Sequence, residues 1–353
     1  MNKSQSSSSK VMFGNESYNN LIQFIEKNKI SKLFILVDNN TLTNCLSVFK
    51  NKFKSDIIFE VIQIPSGEIF KNIDTCTLVW NELLEYGADR KSLLINLGGG
   101  MVTDLGGFVA STYKRGIKFI NIPTSLLAMV DAAVGGKTGI DFGNLKNVIG
   151  VFSNPEMVII DIDYLKTLPK KEWKCGLAEV IKYGFISDVK LWNQIKECKD
   201  LSYINTNQII NTSINIKKEI VDTDYHEKNL RKILNFGHTI GHAFESFYLK
   251  SSNNLNHGEA IAIGIVVELY ISHKMHQFPI NLVEELKVFI HQFYGKIKVD
   301  KTDINTIISL LSHDKKNELD KVMFVLLKKP ENPIIDCEVS YDLIKEGINY
   351  YLK

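Results

Sequence analysis

The stretch that decides the fold is "SLLINLGGGMVTDLGGFVAST", residues 92–112. Its first part, "SLLINL", is typical of a strand buried on both faces. Three glycines, Gly98 to Gly100, follow at once, and glycine lets the backbone approach a ligand closely. A helix that begins at these glycines directs its N–H groups at a phosphate. The stretch therefore predicts a strand, a tight turn and a helix. By itself it fits an ordinary glycine-rich turn, but the further glycine turns "PSGEIFKN" (65–72) and "VGGKTGID" (134–141) favour a bound nucleotide.

Strand and helix signals alternate on both sides of this stretch. β-rich runs occur at 32–38 ("KLFILVD"), 57–64 ("IIFEVIQI"), 117–123 ("IKFINIP") and 157–162 ("MVIIDI"), and helical periodicity at 72–87 and 124–134. Such alternation is typical of an α/β domain built on a parallel sheet. From about residue 171 onward the patterns are helical. We therefore predict a disordered tail over residues 1–12, an α/β nucleotide-binding domain over 13–168 and an all-α domain that binds metal and substrate over 169–353.

Composition narrows the class of protein. The 42 Lys and Arg residues nearly balance the 40 Asp and Glu residues, so the charge gives no reason to expect nucleic acid or a membrane surface as a partner. No apolar run is long enough to span a bilayer, and we expect no secretory signal at the serine-rich start. The five cysteines are scattered, which favours reduced thiols in a cytoplasmic protein.

The helical half contains four candidate metal ligands. They are Glu179 in "GLAEVIKYG", His238 and His242 in "LNFGHTIGHAFE", and His257 in "LNHGEAIAIG". A catalytic zinc takes about three protein ligands and keeps one position open. His238 and His242 are one helical turn apart, so they could chelate a metal together, or one of them could have another task. Small residues beside each candidate predict helices that pack closely around a compact site.

Several basic residues stand in apolar or glycine-rich sequence, where a solvated role is unusual. They are Arg115, Lys137, Lys146, Lys182, Lys217, Arg231 and Lys315. Arginine and lysine in such settings bind carboxylates and phosphates. We therefore expect a small substrate with two anionic ends.

Seven motifs together closely resemble the 3-dehydroquinate synthase family of the sugar phosphate cyclase superfamily. They are "GGGMVTDLGGFVASTYKRG", "IPTSLLAMVDAAVGGKTGID", "KNVIGVF", "GLAEVIKYG", "LNFGHTIGHAFE", "NHGEAIAIG" and "DKKN". The resemblance runs from roughly residue 32 to 330. It implies a shikimate-pathway lyase, on the route to chorismate and the aromatic amino acids, that uses NAD and Zn²⁺ or Co²⁺ and forms a homodimer. The implied reaction converts 3-deoxy-D-arabino-heptulosonate 7-phosphate to 3-dehydroquinate plus phosphate, by transient oxidation, phosphate elimination, reduction and aldol closure.

The resemblance also implies a role for each matching residue. The implied metal ligands are Glu179, His238 and His257. The implied catalytic residues are His242, which handles protons, with Lys182, Asn235 and Glu227. The implied substrate contacts are Arg115, from the neighbouring subunit, with Asp131, Lys137, Asn147, Lys217, Arg231 and Lys315. The implied cofactor contacts are Asp38, Ser66, Gly67, Glu68, Lys71, Gly99, Gly100, Met101, Val102, Thr103, Asp104, Thr124, Ser125, Lys137, Lys146, Tyr164 and Thr167.

Two motifs depart from the family pattern. The usual "GGGVxGD" reads "GGGMVTD", so Thr103 adds a side chain where a close backbone approach is expected. The usual "DExE" reads "DYHE" at 224–227, which keeps Glu227. Three alternatives stay open: a cyclase that makes an epi-valiolone or an inosose, a metal-dependent polyol dehydrogenase, and a nucleotide-binding protein without activity.

Overall fold

The computed structural model describes residues 9–143, 145–197, 205–248, 255–297, 299–311 and 322–353. The chain divides into two compact units. The first runs to Trp173 and takes in Ile210–Asp222, and the second comprises Lys174–Ile209 and Thr223–Lys353. The sequence predicted one junction after residue 168 and gave no sign that 210–222 returns to the first unit. Lys315 and most of the predicted tail lie outside the described residues.

The first unit is built on a six-stranded parallel sheet. Its spatial order is β1 (Lys10–Phe13), β8 (Met157–Ile160), β5 (Lys118–Pro123), β4 (Leu93–Gly98), β2 (Leu33–Asp38) and β3 (Phe59–Ile64). Every residue of β4 is buried, as its apolar run predicts. The prediction of a disordered tail through residue 12 was wrong for β1, because "KVMF" adds a short edge strand beside β8.

Helices cover this sheet and a hairpin follows them. The helices are α1 (Glu16–Lys27), α2 (Asn39–Asn44), α3 (Leu46–Lys52), α4 (Ile73–Glu85) and α5 (Gly100–Thr112), and the antiparallel hairpin is β6 (Lys137–Phe142) with β7 (Leu145–Phe152). The core includes Val79 and Leu83 of α4 with Leu105 and Val109 of α5. α5 lies close against β4, because a Cβ on Gly106 would fall 2.0 Å from Asn96 Oδ1.

Helices dominate the rest of the chain. They are α6 (Lys170–Ile186), α7 (Val189–Lys196), α8 (Thr206–Thr223), α9 (His238–Tyr248), α10 (His257–His276), α11 (Ile280–Phe293), α12 (Lys301–Leu310) and α13 (Tyr341–Leu352). The prediction of an all-α domain needs one correction, since β9 (Met323–Leu327) pairs antiparallel with β10 (Pro333–Glu338). Within the described ranges, no helix is both long and apolar enough to cross a membrane.

Candidate active site

The glycine turn of the first unit has the predicted geometry. β4 ends at Gly98, Gly99 is the N-cap, and α5 begins at Gly100. The turn is tight, because a Cβ on Gly98 would lie 2.5 Å from Val102 Cβ. The backbone N–H of Thr124 donates to the Gly98 carbonyl at 2.9 Å, which places the start of the segment after β5 against the turn. The N–H groups at the start of α5 can therefore receive an anion such as a pyrophosphate.

Thr103 does not disturb this turn. Its side chain is only 1% exposed, and Oγ1 donates to the Gly100 carbonyl oxygen at 3.0 Å. The added side chain is therefore folded onto its own helix and buried inside the protein. Met101 lies half-buried beside it, and Ser125 Oγ would be 3.4 Å from a Cβ on Gly99.

A buried lysine joins several of the predicted cofactor and substrate residues. Lys71 Nζ donates to Asp104 Oδ2 at 2.7 Å and to Asn147 Oδ1 at 2.6 Å. Glu68 Oε1 lies 3.9 Å from Lys71 Nζ and 3.8 Å from Lys146 Nζ. Burial acts to lower the pKa of Lys71, but the carboxylates of Asp104 and Glu68 outweigh it and raise that pKa. Lys71 is therefore a fixed cation beside the glycine turn.

Asp38, Thr124 and Thr167 surround the thiol of Cys45, which the sequence did not single out. Burial raises the pKa of the Cys45 thiol to about 11; Thr124 and Thr167, which act to lower that pKa, and Asp38, which acts to raise it, all lie near the thiol. Asp38 caps α2, where its Oδ1 accepts from the Thr41 backbone N–H at 2.7 Å. These three predicted cofactor residues are therefore brought together at the carboxyl ends of the strands.

Other predicted residues of the first unit differ in how far they are exposed to solvent. The Tyr164 hydroxyl is buried, 2.8 Å from the Tyr18 hydroxyl. Ser66 and Gly67 form the turn that leads into Glu68, with φ +115° at Gly67. Lys137 and Arg115 are exposed.

Lys217 of α8 binds within the first unit. Its Nζ donates to the Asp131 carbonyl oxygen at 2.6 Å and to Asp131 Oδ1 at 2.7 Å. Both residues are predicted substrate contacts. The same ion pair gives a physical reason why Ile210–Asp222 belongs to this unit.

The second unit brings three of the four candidate ligands together. Glu179 of α6, His238 of α9 and His257 of α10 place one ligand atom each within 4.8 Å of the others. Nε2 of His238 is 3.4 Å from Glu179 Oε1, and Nε2 of His257 is 3.5 Å from the same oxygen. Ligands about 2.0–2.1 Å from a tetrahedral zinc ion lie roughly 3.3 Å apart. The donor set and its spacing therefore fit zinc or a similar ion.

Charge around this cluster has opposite effects on the pKa values of its two histidines. Lys182 forms an ion pair with Glu179, and both side chains are at most 1% exposed. Burial, and then the Lys182 ammonium, hold the pKa of His238 well below its usual value. Its imidazole is therefore neutral, as a metal ligand must be. For His257 burial acts to lower the pKa, but the carboxylates of Glu179 and Glu245 prevail and raise it to about 9.

Close packing of α9 and α10 aligns these ligands. A Cβ on Gly264 of α10 would lie 1.9 Å from the Gly237 carbonyl oxygen, and one on Gly241 would lie 2.8 Å from Ile261 Cδ1. The buried carboxylate of Glu268, also on α10, accepts from the N–H groups of Gly237 at 2.6 Å and Ile240 at 3.3 Å. A capping box satisfies the same two N–H donors at the start of a helix. Here the acceptor is a side chain of the neighbouring helix. The predicted role of the small residues in tight packing is thereby confirmed for Gly237 and Gly241.

Two predicted catalytic residues before α9 are hydrogen-bonded to each other, and the predicted carboxylate-binding arginine binds the backbone nearby. Asn235 Nδ2 donates to Glu227 Oε1 at 2.7 Å. Arg231 is 2% exposed, and its Nη1 donates to the Tyr225 carbonyl oxygen at 2.6 Å. The acceptor is a backbone carbonyl, which any residue at position 225 would provide. The change from the usual "DExE" to "DYHE" therefore does not remove this hydrogen bond. His242 is exposed, with its ring centroid 5.3 Å from that of His238 and 6.0 Å from that of His257.

Sequence reasoning missed two acidic residues of this site. Glu245 is 5% exposed, with Oε2 at 3.5 Å from His257 Nδ1. Its place three residues after His242, on the same helix face, is a signal that could have found it. Glu268 lies inside the apolar run of α10, and a charge in such a run is the only sequence hint of its role.

Solved structures of other proteins share this fold. A 2-deoxy-scyllo-inosose synthase complexed with carbaglucose-6-phosphate, NAD⁺ and Co²⁺ has a TM-score of 0.81 at 24% identity, covering 96% of both chains. A 2-epi-5-epi-valiolone synthase from Streptomyces hygroscopicus with NAD⁺ and Zn²⁺ bound has a TM-score of 0.85 at 20% identity, covering 99% of this chain and 98% of that chain. The chain shares its fold with these two synthases.

Sequence comparison is more specific. A family model described as 3-dehydroquinate synthase N-terminal matches residues 61–175, and one described as 3-dehydroquinate synthase C-terminal matches residues 176–317. A 3-dehydroquinate synthase of Parabacteroides distasonis is 41% identical over 349 residues, which is 98% of both chains. The chain belongs to the 3-dehydroquinate synthase family.

Proposed function

We propose that this chain converts 3-deoxy-D-arabino-heptulosonate 7-phosphate to 3-dehydroquinate and phosphate, with NAD and Zn²⁺ or Co²⁺ as cofactors. The observation that carries the proposal is the group of Glu179, His238 and His257, in which a buried carboxylate oxygen lies 3.4 and 3.5 Å from the two Nε2 atoms, close to the spacing of ligands around a tetrahedral metal ion, in a chain of this family. When bound, NAD accepts and returns a hydride, and the metal polarises the substrate's hydroxyls.

Basic residues of the chain suit the two anionic ends of this substrate. Lys217 and Arg231 bind the carboxylate in this proposal, and both are fixed beforehand, Lys217 by Asp131 and Arg231 by the Tyr225 carbonyl. Fixed donors lose little freedom when the ligand arrives, so they bind it more tightly. The phosphate is assigned to Lys137, Asn147, Lys315 and Arg115.

Arg115 fits the part assigned to it in a cytoplasmic homodimer, where it reaches the phosphate of the neighbouring subunit. Its side chain is exposed on the turn after α5, with φ +68°. An exposed guanidinium on a defined turn can bind an anion held by another chain.

Proton transfer is assigned to His242. It lies on α9 one turn after His238, outside the three-ligand group, and its exposure lets it exchange protons with solvent or substrate. Lys182, paired with Glu179, orients a reacting hydroxyl. Glu227 holds the amide of Asn235, so that this amide is presented in one orientation.

The glycine turn and Lys71 are assigned to NAD. The N–H groups that begin α5 would bind the pyrophosphate of NAD, and the Lys71 ammonium is held by Asp104 and Asn147. Asp38 lies at the carboxyl end of β2, where an acidic residue can accept hydrogen bonds from the hydroxyl groups of a ribose.

A substrate competition distinguishes this proposal from the other cyclases. Sedoheptulose 7-phosphate lacks the carboxylate that Lys217 and Arg231 would bind, so we expect phosphate release from the heptulosonate and little from sedoheptulose 7-phosphate. Activity on sedoheptulose 7-phosphate alone would refute the assignment. A polyol dehydrogenase would instead accumulate NADH with a polyol and release no phosphate.

A further inference from the structure

The two histidines of the metal group present the same ring nitrogen to Glu179. In His238, Nδ1 is 3.1 Å from the Phe236 carbonyl oxygen. A carbonyl oxygen only accepts, so Nδ1 carries the hydrogen and Nε2 keeps its lone pair toward Glu179. His257 also directs Nε2 at Glu179 Oε1, and its Nδ1 is directed at Oε2 of Glu245.

We propose that Glu245 is a positioning residue that accepts the Nδ1–H of His257 and thereby fixes Nε2 as the metal-binding atom. For His257 it does what the Phe236 carbonyl does for His238. The inference rests on the proposed function only in taking Glu179, His238 and His257 as the metal ligands. A carboxylate behind a ligating imidazole holds the ring orientation and strengthens the donor nitrogen.

The placement of Glu245 supports this role. Its carboxylate is buried on α9, two turns after His238, and it contacts the first residue of α10. A buried carboxylate needs a hydrogen-bonded or charged partner to offset its desolvation. The contact with His257 therefore links the two helices that carry the histidine ligands.

Glu245 also lies within reach of a different arrangement. His242, Glu245 and His257 form a second group whose ligand atoms lie within 4.8 Å of one another. In that arrangement Glu245 would itself bind an ion, and His257 would use Nδ1. The convergence of two Nε2 atoms on one Glu179 oxygen favours the positioning role, and metal stoichiometry separates the two.

The test compares Glu245→Gln with Glu259→Gln in the full chain, stripped of metal and then titrated with Zn²⁺ against a chromogenic chelator. Glu259 lies on α10 two residues after His257 and makes a capping box with Asn256, which glutamine preserves. We expect Glu245→Gln to bind one Zn²⁺ per chain with an affinity about 10–100-fold lower than the wild type. Glu259→Gln should match the wild type.

Two results would overturn the proposal: wild-type affinity in Glu245→Gln, or loss of a second metal equivalent with the first one intact. If Glu245→Gln does not fold, nitrogen NMR of the cadmium-loaded wild type decides. Coupling of cadmium to Nε2 of His257 supports the positioning role, and coupling to Nδ1 excludes it. A wild type that binds metal in this way but releases no phosphate from the heptulosonate contradicts the proposed function and leaves this inference standing.

Discussion

Gly264→Ala tests whether the contact between α9 and α10 sets the metal site. The new Cβ would lie 1.9 Å from the Gly237 carbonyl oxygen and 2.8 Å from the Gly241 backbone nitrogen, whereas ordinary contact begins at 3.4 Å. The shortfall at Gly237 is 3.4 minus 1.9, or 1.5 Å. Both neighbours are backbone atoms, so no side-chain rotation can relieve the overlap and the helices must separate.

The consequence for the metal site follows from the position of the overlap. Gly237 immediately precedes His238, and Gly264 lies on the helix that begins at His257. Metal–ligand distances tolerate shifts of only about 0.2 Å, far less than the expected separation. Overpacking of a core typically costs about 1–3 kcal/mol. We therefore expect a fall of about 2–12 °C in Tm and a Zn²⁺ affinity that is lower by about tenfold or more.

Gly347→Ala is the matched control, measured by the same thermal unfolding and chelator competition. Gly347 lies on α13 against the same helix α10, and its Cβ would meet a side-chain methyl, Val267 Cγ1, at 3.0 Å. That contact can relax, so we expect wild-type Zn²⁺ affinity and only a small fall in Tm. Wild-type Zn²⁺ affinity in Gly264→Ala would refute the claim that this helix contact sets the ligand geometry.

Three further predictions concern single residues. His238→Ala should lose bound metal, whereas His242→Ala should keep it and lose turnover. Elemental analysis measures the bound metal, and equal loss in both variants would support the alternative that His238 and His242 bind the metal together. The raised pKa of His257, about 9, keeps its ring protonated in the metal-free protein at pH 7.5. Zn²⁺ binding should therefore release about one proton per chain and become tighter as the pH rises toward 9. Calorimetry in buffers of different ionisation enthalpy measures the number of protons released, and a number near zero contradicts the prediction. Lys71→Met should weaken NAD binding about tenfold or more, since hydrogen bonds to a charged group contribute about 1.5–3 kcal/mol; unchanged NAD affinity in a fluorescence titration would exclude its assignment.

The local parts of the fold could be predicted from sequence because neighbouring residues encode them. The buried strand ending at Gly98 and the helix beginning at Gly100 are both read from a continuous stretch. β1 was missed because its four residues follow a serine-rich run and gain their stability from pairing with β8. Such pairing depends on residues far away in the chain, which local patterns do not contain.

The metal site shows the same limit. Glu179, His238 and His257 come from three different helices, so spacing alone suggested a pair, His238 with His242, that shares one helix. All three were among the four candidates that the sequence offered, and the resemblance to a family selected them by setting His242 apart. Glu245 was missed because its partner, the Nδ1 atom of His257, lies on another helix.

Phosphate release from 3-deoxy-D-arabino-heptulosonate 7-phosphate by protein stripped of both cofactors tests the central claim most directly. We expect release only when NAD and Zn²⁺ or Co²⁺ are both restored, with no net NADH at the end because the hydride is returned to the substrate. No release with both cofactors restored, or NADH accumulating in step with substrate use, would contradict the account.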